Sequence, residues 1–511
     1  MHMVRDLSAW SPERGMPWDP VKTDLLQRFS SSLFENNRDE LFLIAANDGQ
    51  LMEAWRRLDP SKYMTQAQEV LETLLVEDHQ EQSGVALRLF NLSRHHSADL
   101  FERALQCFLE APGWEICRSL ESGSSEFFGS ECPIRHNLEL LATPLVQNRL
   151  QDLFSLCDYN QYHLPIRQIL LLLVNAVLGH PDAKDQLMKA NDVPNIIRKG
   201  TVAKASLYNN LLGGNLSDTR RESILVFDAL NRFGIGFETS NRIDNILIFG
   251  DTDELLQPYF NQYINTDKFY GADPSYAAAQ REYIEGTDED EERSSRFLRM
   301  LVSQRRGLFF KIPHSEAADM HLWDLTVFCF AGEYLEQVVS ALEMGKRVAR
   351  TILARLVRGL NRVFTGMLVS DDRDLLLATS LALSQGKVSR LLEERISVEP
   401  RRGERVDIIL REDGTVPLLE VAFSREISCT FPLYLTRYEF LSRVAQGALP
   451  SSFSKECYED VLAFKSQLLT ALTKRQIHDG EEQNDASLAF RLLEVEETGK
   501  VTVQNLEIRE M

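Results

Sequence analysis

The sequence predicts a mostly helical α+β protein of several domains. Three observations point there. A chain of 511 residues is too long for one core, and 44% hydrophobic with 26% charged residues is the composition of a soluble globular protein. Apolar residues recur at i, i+3 and i+4 through most of the chain. Strand-like runs bounded by turn residues occur near its two ends.

The elements follow in order. Residues 21–35, "VKTDLLQRFSSSLFE", have helical apolar spacing. "LFLIAA" then reads as a strand over 41–46 and stops at Asn47-Asp48-Gly49. Helices are expected from "GQLMEAWRRL" and over 65–78, and a second strand from "VALRLFNLS", 85–93. This alternation predicts part of a three-layer α/β domain with a parallel sheet over residues 1–95. From 96 to 235 the pattern is helical, including "PIRQILLLLVNAVLGHP", which starts on proline and stops at Gly179. Residues 236–400 read as a mostly helical middle domain. There "RIDNILIFG" (242–250) reads as a short strand or a buried segment, the acidic run Asp288 to Glu292 as a solvated loop or helix start, and 346–366 as one long helix. Residues 401–511 form an α+β module. It holds a hairpin turning at Asp413-Gly414, a helix from "SKECYEDVLAFKSQLLTAL", an exposed loop "TKRQIHDGEEQNDA" and a second hairpin turning at "ETGK".

Composition excludes several classes. The formal net charge of −20, from 56 basic and 76 acidic residues, argues against a chain that coats nucleic acid generally, though not against a local basic surface. Seven cysteines without a CxxC pair predict no disulfide framework and a reducing cytoplasm. Cys117 and Cys132 flank a Gly/Ser-rich loop, but no second pair completes a zinc site there, so no metal is expected. "MHMVRDLSAW" has no signal-peptide core, and the apolar run 169–179 is too short to span a bilayer. Neither secretion nor membrane insertion is expected.

No GxxxxGK[ST], HExxH or CxxC occurs; "EMGKRV" and "SQGKVS" lack the upstream glycine and the following hydroxyl residue. What remains is an apolar strand ending in a polar residue. In a parallel sheet that residue stands at the carboxyl edge, where ligands bind, and an asparagine there can orient a water beside a bound phosphate. "FLIAANDG" resembles the sensor-1 strand of AAA+ and STAND-type P-loop ATPases, and the match falls on Asn47. In that family a helix, a last strand and a helical lid follow, and residues 20–235 resemble this order. The lid's last helix opens with a phosphate-binding arginine, which the resemblance assigns to Arg167 in "HLPIRQILLLL". The layout also resembles the large ATPases of prokaryotic anti-phage and restriction systems. The resemblance implies a nucleotide-binding core over 1–95, a lid over 96–235, and ATP and Mg²⁺ as cofactors if a P-loop is supplied from elsewhere. The P-loop and its carboxylate strand should precede sensor 1, yet Asp6 in "MVRDLSAW" follows too short an apolar run to match that carboxylate well. A shortened ATPase, a partner-supplied P-loop or a misleading likeness all predict little ATP hydrolysis by this chain alone.

Two further features stand out. On the expected helix 345–364, Arg347, Arg350, Arg355, Arg358 and Arg362 fall on one side and apolar residues on the other. Such a stripe can track nucleic-acid phosphates or pair with acidic neighbours. In "VDIILREDGTVPLLEVAFS", Asp407 and Glu420 resemble the Mg²⁺-binding carboxylates of restriction-type nucleases, though Ala422 stands where a lysine belongs. The expected function is therefore a component of an ATPase-type prokaryotic defence or DNA-processing assembly. A protein-binding scaffold and a Mg²⁺-dependent nuclease are the alternatives, with protein partners expected in either of the first two.

Overall fold

The computed structural model describes residues 1–10, 18–35, 40–57, 61–77, 79–92, 95–119, 127–286, 291–379, 389–401, 403–411, 414–480, 489–496 and 498–507. The chain is 57% helical and 11% strand, the strands lying in small sheets, as a mostly helical α+β multidomain protein requires. It divides into two compact units, Met1–His95 and His96–Met511.

In the first unit β1 (His2–Val4) pairs in parallel with β2 (Phe42–Ile44), in the register His2–Phe42, Met3–Leu43 and Val4–Ile44. Between them runs α1 (Pro20–Ser32). Its first turn is set by Pro20 and by the Asp19 carboxylate, which accepts from the Val21 amide at 2.9 Å. Two more helices follow, α2 (Asp48–Arg57) and α3 (Lys62–Glu77). Val4, Leu7, Leu26, Phe29, Trp55, Met64 and Leu71 form the core, with Phe42 and Ile44 packed against it. The Phe29 ring meets Phe42 at 5.6 Å and Trp55 at 5.7 Å, both edge-on. The opposite face of the sheet is bare: Met3 is 53% and Leu43 54% exposed.

Of the strand expected at 85–93, the described residues 85–92 form none. Their backbone is bonded elsewhere: the Ala86 amide donates to the Leu33 carbonyl and the Leu89 amide to that of Gln80, leaving one isolated bridge between Glu81 and Arg88. Val85, Leu87 and Leu89 pack against the helical core from this irregular segment, so period-two alternation here reflects one-sided packing. The strand that does pair with β2 is β1, three residues long and below the length at which alternation is legible.

The second unit is helical through most of its length. The run 242–250 is a helix, Asn241–Phe249, that buries Ile243, Ile246 and Leu247 at i, i+3 and i+4. The helix expected from 346 starts at Arg350 and ends at Thr365; Gly345 takes a left-handed φ of 68°, residues 346–349 have no regular secondary structure, and Ala349 at the cap is extended. Gly366, at φ 67°, closes its far end. Part of the acidic run (288–290) and part of the loop between Cys117 and Cys132 (120–126) lie outside the described residues.

Among the described residues seven strands lie in this unit: β3 (Asp374–Thr379), β4 (Ser389–Ser397), β5 (Arg405–Leu410), β6 (Pro417–Ala422), β7 (Ser428–Pro432), β8 (Ala489–Val495) and β9 (Val501–Glu507). Both expected hairpins are present, β5–β6 and β8–β9, with Gly414 and Gly499 left-handed in their turns. β5–β6–β7 is one antiparallel sheet and β3–β4–β8–β9 another. The expected loop "TKRQIHDGEEQNDA" is helical in its first part, since the helix from Lys455 runs on to Gly480, and 481–486 lie outside the described residues.

Candidate functional site at the carboxyl edge of the parallel strands

Beyond the paired residues the two strands of the first unit stay together for one more step. The Ala45 amide donates to the Val4 carbonyl at 2.8 Å, and the Leu7 amide to the Ala45 carbonyl at 2.9 Å. Asp6 and Asn47 leave the sheet here, both exposed, at the carboxyl ends of adjacent parallel strands. Asn47 immediately precedes α2, and its carbonyl accepts from the Leu51 amide at 2.8 Å, which fixes it as the residue that starts the helix. Asp6 and Asn47 thus bring a carboxylate and a neutral amide to this edge, a hard oxygen donor suited to Mg²⁺ beside a group that can orient water. Sequence reading placed Asn47 correctly at the end of a strand. It undervalued Asp6, because only the pairing of β1 with β2 brings that carboxylate to the same edge.

Arg167 lies in the second unit, exposed in the first turn of the helix Ile166–Leu178, the position the sequence assigned to it. The helix buries Ile169, Leu172, Leu173, Ala176 and Val177 on its other side.

The arginine helix is tied into its own unit. Arg347 precedes the helix in an irregular segment and is exposed. Arg350 pairs with Glu399 at 3.0 Å, both highly exposed. The Arg355 guanidinium grips both oxygens of Glu333, donates to the Tyr438 hydroxyl at 2.8 Å and lies 4.5 Å over the Phe330 ring. Arg358 pairs with Asp372 at 2.7 Å. Arg362 donates to the Val369 and Val444 carbonyls at 3.0 and 2.8 Å. Arg350, Arg355, Arg358 and Arg362 are thus engaged by the chain itself.

Asp407 and Glu420 are register partners on β5 and β6. Arg405, on the same strand as Asp407, holds the Glu420 carboxylate at 2.6 Å. Among the described residues no group of three or more His, Cys, Asp or Glu is arranged to hold a metal ion.

Sequence reading also missed several buried charges whose partners are distant in the chain. Arg149, 1% exposed, lies beside the contacting Phe309 and Trp323 rings and donates to the Ile312 carbonyl at 3.1 Å and to Asp152 at 3.3 Å. Burial pushes the Asp152 carboxyl up to about 6, against the opposing pull of Arg149 and His314. His314 Nε2 lies 3.3 Å from the same carboxylate. Glu439, fully buried, accepts from the Cys329 and Phe330 amides and from Arg443. Cavities open among the described residues of this unit. One, of about 570 Å³, lies beside Arg437, which stacks on Phe431 and pairs with Asp460 at 2.7 Å. Another, of about 550 Å³, is bordered by His136, stacked on Phe269 at 3.9 Å, and by the Lys311–Asp267 pair at 2.7 Å. In both, the buried charges already have partners.

Family models, curated proteins and solved structures show no match to this chain.

Proposed function

We propose that the first unit is the sensor half of a P-loop-type nucleotide-binding core. The chain then acts as a component of an ATPase-type assembly in prokaryotic defence or DNA processing. One observation carries the reading: Asp6 and Asn47 stand at the carboxyl ends of adjacent parallel strands, where open α/β sheets bind ligands. The residues present fit the Mg²⁺-facing and water-facing side of such a site. Asp6 supplies the carboxylate for the metal, and the Asn47 amide orients water by hydrogen bonding without changing charge. Arg167 is the candidate phosphate-binding arginine of the lid. When bound, MgATP supplies the transferable phosphoryl group. The backbone cradle for its phosphates is not encoded in these 511 residues, which contain no GxxxxGK[ST].

The bare sheet face supports the same reading. Parallel sheets are covered on both faces, whereas Met3 and Leu43 expose apolar surface on one. A second α/β segment carrying the phosphate loop would cover it.

The test is to express the chain together with the coding sequence immediately upstream of it in its genome and to measure ATP turnover. The expected result is turnover that Asn47→Ala and Asp6→Asn each reduce by about a hundredfold or more. Turnover indifferent to both substitutions sinks the proposal, as does an upstream sequence without a phosphate loop combined with no MgATP binding by the chain.

A further inference from the structure

Arg306 is buried and has no acidic partner. It sits near the end of the helix Glu291–Lys311 and is 5% exposed. Its neighbour Arg305 shows the usual solution, a two-point pair with Asp244 at 2.7 and 3.1 Å. Arg306 has only neutral contacts: Nε donates to the Ile235 carbonyl at 3.3 Å, Nη1 reaches the Asn209 side-chain oxygen at 3.4 Å, and the group lies 5.3 Å over the Phe237 ring. Among the described residues no carboxylate pairs with it. Burial lowers its pKa to about 10, and the one neighbouring charge that adds to the shift is Arg221, of the same sign. Nη2 is left without a protein partner and is not sealed from solvent.

A buried cation without a counter-charge is costly, and two of like sign side by side more so. The backbone around them is built for close approach. At Gly214 a Cβ would sit 2.9 Å from Arg306 Nη1, and at Gly236, with φ +95°, 2.9 Å from Arg306 Cγ. At Gly213, with φ +67°, it would sit 3.1 Å from Arg221 Cγ. Consecutive glycines thus stand against the two arginines, and a side chain at Gly213 would be strained by its positive φ while one at Gly214 would press on the Arg306 guanidinium. Arg221 is partly exposed and bonds only Asp218, itself 82% exposed, at 2.9 Å.

We propose that Arg306 and Arg221, across the Gly213–Gly214 turn, bind a phosphate-class oxyanion. A dianion matches two guanidinium groups, and the fork of each suits tetrahedral oxygens. Because Arg306 is recessed, a free phosphate or the terminal phosphate of a monoester reaches it, while a phosphodiester held between two sugars does not. Phe237, 60% exposed beside Arg306, offers a flat apolar surface to the remainder of a monoester. This site is independent of the nucleotide reading of the first unit.

Calorimetric titration of the full chain with inorganic phosphate at constant ionic strength tests it. The expected result is saturable binding, displaced by sulfate, weakened at least about tenfold by Arg221→Ala and lost in Arg306→Met. If Arg306→Met does not fold, Arg221→Ala decides alone. Absence of saturable binding at millimolar phosphate overturns the proposal, and so does unchanged affinity in Arg221→Ala. A hydroxyl-ended oligonucleotide serves as the second arm. Oligonucleotide binding that depends on Arg221, with none of inorganic phosphate, overturns the assignment in favour of a nucleic-acid backbone.

Discussion

Met3 and Leu43 are register partners on adjacent parallel strands, and both expose more than half of their apolar surface. Their strand neighbours Val4 and Ile44 turn the other way, toward the core. Two faces of one short sheet are therefore energetically distinct, and substitution tells them apart. Leu43→Ser is expected to change the stability of the first unit by no more than about 0.5 kcal/mol. Leu26→Ala, at a fully buried site, is expected to cost about 2–5 kcal/mol. Urea unfolding followed by tryptophan fluorescence, which reports on buried Trp55, measures both.

ATP turnover by the purified 511-residue chain is expected to stay well below about 1 s⁻¹, the low end for working enzymes. A phosphate-release assay in Mg²⁺ checks this. Turnover near that value from the chain alone removes the need for a phosphate loop from elsewhere.

The arginine helix separates buried from exposed ion pairs. Arg355→Ala takes the cation from the partly buried Glu333 carboxylate and leaves it the Tyr438 hydroxyl alone, and is expected to cost about 1–3 kcal/mol. Arg350→Ala removes an exposed pair and is expected to fall within about 0.5 kcal/mol. Thermal unfolding of both variants supplies the comparison. Duplex affinity measured across salt asks the separate question of nucleic acid: a slope that shrinks in Arg347→Ala or Arg350→Ala supports a phosphate contact, and a flat one removes it.

Asp152 makes stability depend on pH in a defined direction. Its folded carboxyl, pushed up by burial to about 6 from 3.8, holds a proton more tightly than the unfolded chain does. Its contribution is therefore fully present below pH 3.8 and is lost as pH rises through about 6. Arg149, His314 and Glu336 face the same carboxyl and shape that window. Asp152→Asn is expected to remove this component of the pH slope. Stability profiles of parent and variant that run parallel between pH 4 and 6 contradict it.

Much of the architecture was legible because its signals are local. Gly414 and Gly499 sit in the turns that their neighbours imply, and the apolar spacing over 21–35 marks most of α1, whereas the run 242–250 reads as a short strand or a buried segment although Ile243, Ile246 and Leu247 stand at helical spacing. Asn47 at the end of an apolar run was legible for the same reason. What escaped depends on partners far away in sequence. Asp6 gains meaning only when β1 meets β2, some 40 residues on. The arginine stripe could be read as a phosphate track or as a paired face, and the choice rests on Glu333, Asp372 and Tyr438, which lie outside its helix. The isolation of Arg306 is equally invisible, since Arg305 beside it is chemically identical and differs only in having Asp244 within reach.

The sheet β3–β4–β8–β9 has an implication for synthesis. β4 pairs with β3 on one side, but its other partner, β8, is made after β5, β6, β7 and the helix Lys455–Gly480. On the ribosome β4 must wait with one row of amides and carbonyls unsatisfied until β8 emerges, and such an edge is open to pairing with other chains. A premature stop between the β7 and β8 codons would leave that edge permanently uncovered. β8 and β9 thus act as a seal on strands made before them, and their loss is expected to appear as aggregation before it appears as any change in the helical body.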